Sequence, residues 1–532
     1  MVLLDEKRRT AEITDVNEVR APRDKVFLVL VFVSIAVSIA AFAYFYAHAQ
    51  TLMYKDAVSH LEIARRIVDS PSPGLTQVGG VWPPLTHLLS IILVWWDWAY
   101  FSGFAMTFWS MLAFVLTVGL LYKSTFFLTG SRTAGVVAGT VFMINPNVLY
   151  MQSTPMTELP LFAAMVGMAY GTQRWIHTDK WSYVLAAGLS AVAGSLIRYE
   201  AWVYLAVMFV IFGLAAWHKR YGPQKAEGLF WTAIYASSLG ILFWMAYNQV
   251  VFHNFLNFWN GEYAKPSLWV GEAEKSVGNL PVAFKTYFYA VQDNLLLVGM
   301  VLAAFGLIAM IVKERLSLRS LPSLGLMALF PFFVVALYTG QRPLHVLQIG
   351  GTDLYNVRFG LLMVLPEALM IGYLVSVLSG FKLRYARLGL AGALTLGLLA
   401  TVTVPGFMAP TSKIVTLKEP LEFAKTSSFE QSDGVSTYLA SHYTGGKILM
   451  ESFGNELVLF RANIGLGDNV YEGSYKMWEP ALDNPSDHQI KWIIMRHTSQ
   501  PDLVYTDLHD SPELDSYTKV FSNDSYDVYE EK

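Results

Sequence analysis

The chain has 532 residues, 54% of them hydrophobic and only 15% charged, against roughly 25% charged in soluble proteins. Its net charge of −3 provides no electrostatic footprint for a nucleic-acid partner. It has no cysteine, which excludes disulfides, thiolate metal sites and a cysteine nucleophile.

Residues 1–25 are polar and rich in Lys and Arg, and an apolar run follows over 26–47. Ala47-His48-Ala49 resembles a signal-peptidase site. The run exceeds the roughly 7–15 residues of a signal core, so it reads as a span that stays in the membrane. Further spans are predicted over 103–122, 133–149, 158–174, 182–198, 201–217, 230–251, 294–312, 322–339, 359–380 and 388–405, by apolar length. Basic residues gather in alternate connections: Arg8, Arg9, Arg23 and Lys25; Lys123 and Arg132; Arg174 and Lys180; Lys219, Arg220 and Lys225; Lys313, Arg315 and Arg319; Lys382, Arg384 and Arg387. The positive-inside rule makes these cytoplasmic. An odd number of spans, about eleven, then puts residues 406–532 on the far side.

Two stretches break the pattern. Residues 84–101 are apolar enough to count as a span, but that would invert every later loop. A helix lying in the interface is expected instead, with Trp95, Trp96, Trp98 and Tyr100 in the aromatic belt and Asp97 facing water. Residues 182–217 must cross twice on short legs, so the turn Leu196-Ile197-Arg198-Tyr199-Glu200 should sit below the outer surface. Charges at that depth need partners or a wet cavity, and an internal Arg198–Glu200 pair would meet that need.

The tail reads as a small α/β domain, with a helix over 432–442 and strands over 447–450, 491–495, 503–505 and 526–529. Its aromatics Tyr471, Tyr475, Trp478 and Trp492 read as core packing rather than as sugar platforms. Asn523-Asp524-Ser525 is a glycosylation sequon. There is no internal repeat.

Chemistry-bearing residues collect in the outer loops. In Tyr54-Lys55-Asp56-Ala57-Val58-Ser59-His60, Asp56 and His60 stand four apart on one predicted helix face. They suit a general base or part of a metal site; a solvated histidine beside a helix-terminal charge fits the spacing equally. Trp82-Pro83-Pro84-Leu85 then shapes the loop. Glu158 lies at the mouth of a helix, where the dipole favours a carboxylate and where a second active-site acid would face Asp56. Thr154 and Thr157 are the candidate caps. In Tyr355-Asn356-Val357-Arg358-Phe359, Arg358 heads a membrane helix. An arginine fork there suits a phosphate at headgroup depth or an ordinary lipid contact. Arg342 and His345 are weaker candidates of the same kind.

These pieces resemble the GT-C superfamily of polytopic glycosyltransferases, which includes protein O-mannosyltransferases, the aminoarabinose transferase of lipid A and the catalytic subunit of oligosaccharyltransferase. Tyr54-Lys55-Asp56 with Ala64 looks like the family's acidic first-loop motif, and Trp82-Pro83-Pro84-Leu85 like its Pro-Pro-Leu segment. Glu158 falls at the second-loop acid. Tyr355–Phe359 with Leu365-Pro366 looks like the aromatic–Arg–Pro helix start. Ala57 departs from relatives that carry a second acid after the first-loop Asp. The Asp56-to-His60 spacing is like the oligosaccharyltransferase first loop. That enzyme's Trp-Trp-Asp motif is missing from the tail, and Trp95-Trp96-Asp97 is read as coincidence.

The resemblance implies a polytopic helical GT-C domain over 26–405, after a cytoplasmic segment 1–25 and before an extracytoplasmic α/β domain 406–532. It implies an integral membrane enzyme of the cell membrane or, in a eukaryote, the ER membrane. The reaction implied is inverting transfer of a hexosyl or pentosyl unit from a polyprenyl-phosphate sugar to a protein, lipid or glycan. Asp56 would be the general base, and Arg358 would hold the leaving phosphate, aided by Arg198 or Arg342. Glu158 would orient the acceptor or help bind a metal. His60, Glu200 and His345 remain as acceptor or metal contacts. No cofactor is fixed, and a divalent cation (Mg or Mn) is the one admitted. Oligosaccharyltransferase-like transfer, a lipid or glycan transporter or flippase, and an inactive scaffold are the competing classes. Polar residues on one face, with no repeats or midplane charges, favour catalysis over transport.

Overall fold

The computed structural model describes residues 24–268, 270–271, 274–350, 353–380, 414–498 and 500–532. Seven helices are long and apolar enough to cross a membrane: Lys25–Ala47, Phe104–Thr129, Glu200–His218, Pro223–Phe252, Leu297–Glu314, Leu321–Tyr338 and Val357–Ser379. Three more predicted spans are helical over Arg132–Ile144, Glu158–Thr178 and Trp181–Ser195. The eleventh, 388–405, lies outside the described residues.

The predicted span 133–149 stops at Ile144 for a local reason. Asn145 accepts from the Asn147 and Val148 amides at 2.9 and 3.2 Å, capping a new short helix, Pro146–Met151, with proline in its first turn, where proline is preorganised. Residues 84–101 form no helix of spanning length but two pieces, Leu85–Val94 and Asp97–Phe101. The tryptophans 95, 96 and 98 are exposed, and Asp97 pairs with Arg65 at 2.8 Å. The predicted double crossing is built from Trp181–Ser195 and Glu200–His218, with Arg198 in the short turn between them.

The C-terminal region carries a five-stranded sheet of order β2-β1-β3-β5-β4, from β1 (Lys447–Leu449), β2 (Asn469–Val470), β3 (Ile490–Arg496), β4 (Tyr517–Ser522) and β5 (Tyr526–Glu531). β1 pairs in parallel with β2 and β3, while β5 pairs antiparallel with β3 and β4. Alternate residues of β3 feed opposite cores, since strand side chains alternate faces. Trp492 and Ile494 join Val435, Leu439 and Val458, whereas Ile493 and Met495 join Trp478, Val504 and Leu508. Trp492, Trp478 and Tyr471 are buried as expected, while Tyr475 is exposed.

The strand expected over 503–505 is instead the first turn of a helix, Leu503–Leu508. Asp502 caps it by accepting from the Tyr505 amide at 2.8 Å, and a capped start outweighs the β-propensity of a short apolar triplet. Asn523 of the sequon turns the chain from β4 to β5. Its Oδ1 accepts from the Ser525 and Tyr526 amides, and its Nδ2 donates to the Gln431 carbonyl at 2.9 Å.

Candidate active site

Three loops and one late helix converge at the head of Val357–Ser379. The first is the helix Lys55–Arg66, whose Ala57, Val58, Leu61 and Ala64 are buried; that packing fixes the azimuth of Asp56. The second is the start of Glu158–Thr178. The third is Asn356, whose φ of 55° turns the chain into the first turn of Val357–Ser379, a left-handed conformation that Asn tolerates better than most residues. The fourth is the helix Val415–Phe423, held by Thr416, which donates from its amide and hydroxyl to Asn147 Oδ1 at 3.1 and 3.0 Å.

Arg358 is the hub. Its guanidinium pairs with Asp56 through Nη2, with Glu158 through Nε at 3.2 Å and with Glu419 through Nη1 at 3.3 Å. It also lies 4.9 Å from the centre of the Tyr54 ring, a distance at which the π-face favours the cation. Arg198 adds a second cation. It reaches Glu158 at 3.1 Å, Glu200 at 2.8 Å and the Thr157 hydroxyl at 3.2 Å. Thr157 therefore accepts from Arg198 and makes no cap bond, while Thr154 donates back to Met151 O at 2.7 Å. The cluster holds four carboxylates and two guanidiniums.

Exposure separates the acids that surround Arg358. The Asp56 side chain is 39% exposed, Glu158 0% and Glu419 8%. Glu419 is the residue that sequence reasoning missed. Its oxygens accept from the Asn356 and Val357 amides, both at 2.9 Å. It thus supplies a carboxylate to the positive end of the arginine-bearing helix. Burial raises the Glu419 carboxyl above its ordinary range, against the pull of Arg358. Tyr54, also missed as a contact, donates to Thr416 O at 2.6 Å and ties the first loop to the same helix.

The remaining expected residues sit elsewhere or alone. Asp56 and His60 share a helix but no hydrogen bond among the described residues. His60 Nδ1 meets His87 Nε2 at 2.9 Å, and the Trp82 ring of the Trp-Pro-Pro-Leu segment covers it at 4.2 Å. Burial pushes the His60 imidazole down to about 3, with Arg198 and Arg358 adding to the shift. His87 is lowered as well, burial first and His60 second, so the pair is neutral and one ring must donate to the other. His345 bonds Glu274 at 2.7 Å and Asp353 at 3.0 Å. Burial works against its charge, but these two acids outweigh it and raise its pKa. Arg342 is exposed and makes no ion pair among the described residues.

No group of three or more His, Asp or Glu is placed to hold a metal ion among the described residues. The three acids nearest one another are turned onto Arg358 instead. A divalent ion there would have to displace the guanidinium.

The arrangement is that of a polytopic GT-C fold. The model of the family described as dolichyl-phosphate-mannose-protein mannosyltransferase matches residues 91–243. The structure is similar to ArnT from Cupriavidus metallidurans bound to undecaprenyl phosphate, with a TM-score of 0.58 and 12% identity over 96% of this chain and 98% of that one. It is similar also to the same protein in the apo state, with a TM-score of 0.55 and 12% identity over 94% and 97%. The archaeal oligosaccharyltransferase AglB from Archaeoglobus fulgidus, solved with an inhibitory peptide and a dolichol-phosphate, matches with a TM-score of 0.44 and 12% identity over 88% and 69%. No curated protein matches the chain.

Proposed function

We propose that this chain is a polyprenyl-phosphate-sugar-dependent glycosyltransferase whose reaction takes place around Asp56. One observation carries the reading: of the three carboxylates gathered on Arg358, only Asp56 has substantial solvent exposure. An ionised carboxylate is an acceptor only. Asp56 is therefore the group able to take the proton from an acceptor hydroxyl or amine as it attacks the anomeric carbon. Direct attack breaks the bond between that carbon and the phosphate oxygen, inverts the centre and leaves polyprenyl phosphate.

The cations divide the remaining work. Arg358 is committed to Asp56, Glu158 and Glu419, and it holds the base in position. Arg342 carries no competing carboxylate among the described residues and is the first contact for the departing phosphate. Arg358, paired with Asp56, shares that charge. Glu158 and Glu419 position Arg358 from buried sites, and Arg198 anchors Glu158. The ArnT neighbour, solved with undecaprenyl phosphate, supports a lipid-linked donor of this chemistry. An orientation with the N-terminus cytoplasmic places the site on the outer face, where nucleotide sugars of the cytosol do not reach.

The test is transfer from a panel of polyprenyl-phosphate sugars by the purified protein, comparing wild type with Asp56→Asn. Asn keeps the shape and cannot act as the base. Turnover should fall by about 10²–10⁴-fold. Equal turnover by both proteins would move the base away from Asp56. No turnover with any donor by folded wild-type protein would return the transporter reading to the front.

A further inference from the structure

On the far side of the first-loop helix lies a cavity. Asp56 and Arg65 point in opposite directions, since the intervening residues turn the helix through about two and a half turns. The cavity of about 360 Å³ is lined by Arg65, Asp97, Trp98, Phe101, Asn463 and Gly465, a volume within the usual range for small-ligand sites. It lies between the outer loop and the C-terminal domain. Phe101 forms its shared wall, packing on Phe460 with ring centres 5.5 Å apart.

Charge, unused hydrogen-bonding groups and location define what it would take. Arg65 is held by Asp69 at 2.7 Å, by Asp97 at 2.8 Å and by the Val94 carbonyl. Two acids on one guanidinium leave the wall slightly negative, which disfavours a phosphate. The Asn463 side-chain amide and the Trp98 indole N–H make no hydrogen bond among the described residues, and both residues are exposed. The Trp98 ring packs on Trp96 and Phe104, with centres 4.7 and 5.4 Å apart, and borders the cavity; an aromatic edge beside an amide and a carboxylate gives an apolar surface with paired donors and acceptors, the chemistry a hydroxylated ring uses. Gly467 lets the domains approach this closely, because a Cβ there would come within 2.8 Å of Asp69 Oδ1.

Trp98 also fixes the depth of the cavity. Its ring lies 6.5 Å from Tyr46 at the end of Lys25–Ala47 and 5.4 Å from Phe104 at the start of Phe104–Thr129. The ends of two candidate spans and three exposed tryptophans form an aromatic belt of the kind found at membrane surfaces. We infer that this cleft binds a neutral sugar ring presented at the membrane surface, the headgroup of a glycolipid. The site stands apart from Asp56, and the inference holds whether or not Asp56 catalyses transfer.

The test uses the full chain in phosphatidylcholine nanodiscs, titrated calorimetrically against empty discs. The probes are methyl and octyl gluco-, galacto- and mannosides, with octyl phosphate as the anionic counterpart. Saturable binding of an octyl glycoside at one site is expected. Trp98→Leu should weaken it about tenfold. Asn463→Gly should weaken it about three- to tenfold, and glycine accommodates the φ of 58° at that position. Methyl glycosides binding at least tenfold more weakly would place the sugar on a lipid. Equal binding by both would place it on a soluble glycan. The inference is overturned if no glycoside binds above the empty discs, if both variants bind as wild type does, or if octyl phosphate binds more tightly than every glycoside.

Discussion

Arg358 and Glu367 lie on one helix, Val357–Ser379, and both are buried. Arg358 meets three carboxylates and an aromatic face. Glu367 meets no cation and makes no hydrogen bond among the described residues, and its Oε2 is buried without a partner. The loops at the helix head converge from distant parts of the chain to satisfy Arg358. Further along the helix, no polar partner among the described residues meets Glu367 Oε2. A buried charge that recruits partners from three segments marks a built site, whereas a buried acid that recruits none is carried by the packing around it.

The largest effect should come from breaking the hub. Arg358→Met leaves Glu419 buried without a cation and Glu158 with Arg198 alone, and removing one partner of a buried pair typically costs about 3–5 kcal/mol. Thermal unfolding in detergent should show a large drop in Tm, and transfer should vanish. Arg358→Lys keeps the charge but not the fork, so it should fall between the two in both readouts. An Arg358→Met protein as stable as wild type would mean that the three carboxylates are not held by this cation, and the contrast with Glu367 would fail.

Gly299 sharpens the other half. A Cβ at this position would run into Glu367 Oε1, and overpacking of a close helix contact costs about 1–3 kcal/mol. Gly299→Ala should lower Tm, and the double variant Gly299→Ala with Glu367→Ala should recover part of the loss. Failure of the second change to rescue the first would show that the helices Leu297–Glu314 and Val357–Ser379 approach differently.

Buried acids in the C-terminal region make stability depend on pH, in the same direction as the buried Glu419 of the hub. Glu451 accepts from the Leu503 amide at 2.6 Å. Burial, the largest cause, raises it from an ordinary 4.5 to about 7; the amide opposes the shift, and Glu472 and Asp502 add to it. The folded protein therefore holds a proton there that the unfolded chain releases near 4.5. The stability this contributes is full below that pH and is lost as pH rises through about 7. Tm should fall between pH 5 and 8, and Glu451→Gln should flatten the slope. A slope unchanged in that variant would assign it to the other buried acids, Glu419, Glu472 or Asp502, whose carboxyls burial also raises.

The difference in legibility follows the same physics. Spans were readable because lipid demands long apolar runs, and each predicted span within the described residues is largely helical, with 133–149 broken at Asn145. Asp56, Glu158 and Arg358 were singled out from short motifs, and the structure brings them together. Glu419 was not readable. It lies after the last apolar run, in Lys418-Glu419-Pro420, and only a contact across the fold joins it to Arg358. The one local signal, a carboxylate just ahead of a proline within the helix Val415–Phe423, carries no indication of its partner. His87 was hidden inside an apolar stretch, so His60 was paired on paper with Asp56, its neighbour on the helix face, rather than with a ring from another segment.

The smallest expected effect is the most discriminating. Glu367→Gln keeps size and shape and removes only the ability to ionise. If the acid is carried by packing alone, Tm should stay within what about 0.5 kcal/mol produces, as for most changes that break no specific partnership, and transfer should be unchanged. Turnover is the readout that packing would not move. A loss of turnover in a protein of unchanged Tm would mean that Glu367 exchanges a proton or holds a cation during the cycle, as intramembrane acids at functional sites do. Arg358 and Glu367 would then be two ends of one working helix rather than a built site and a passenger.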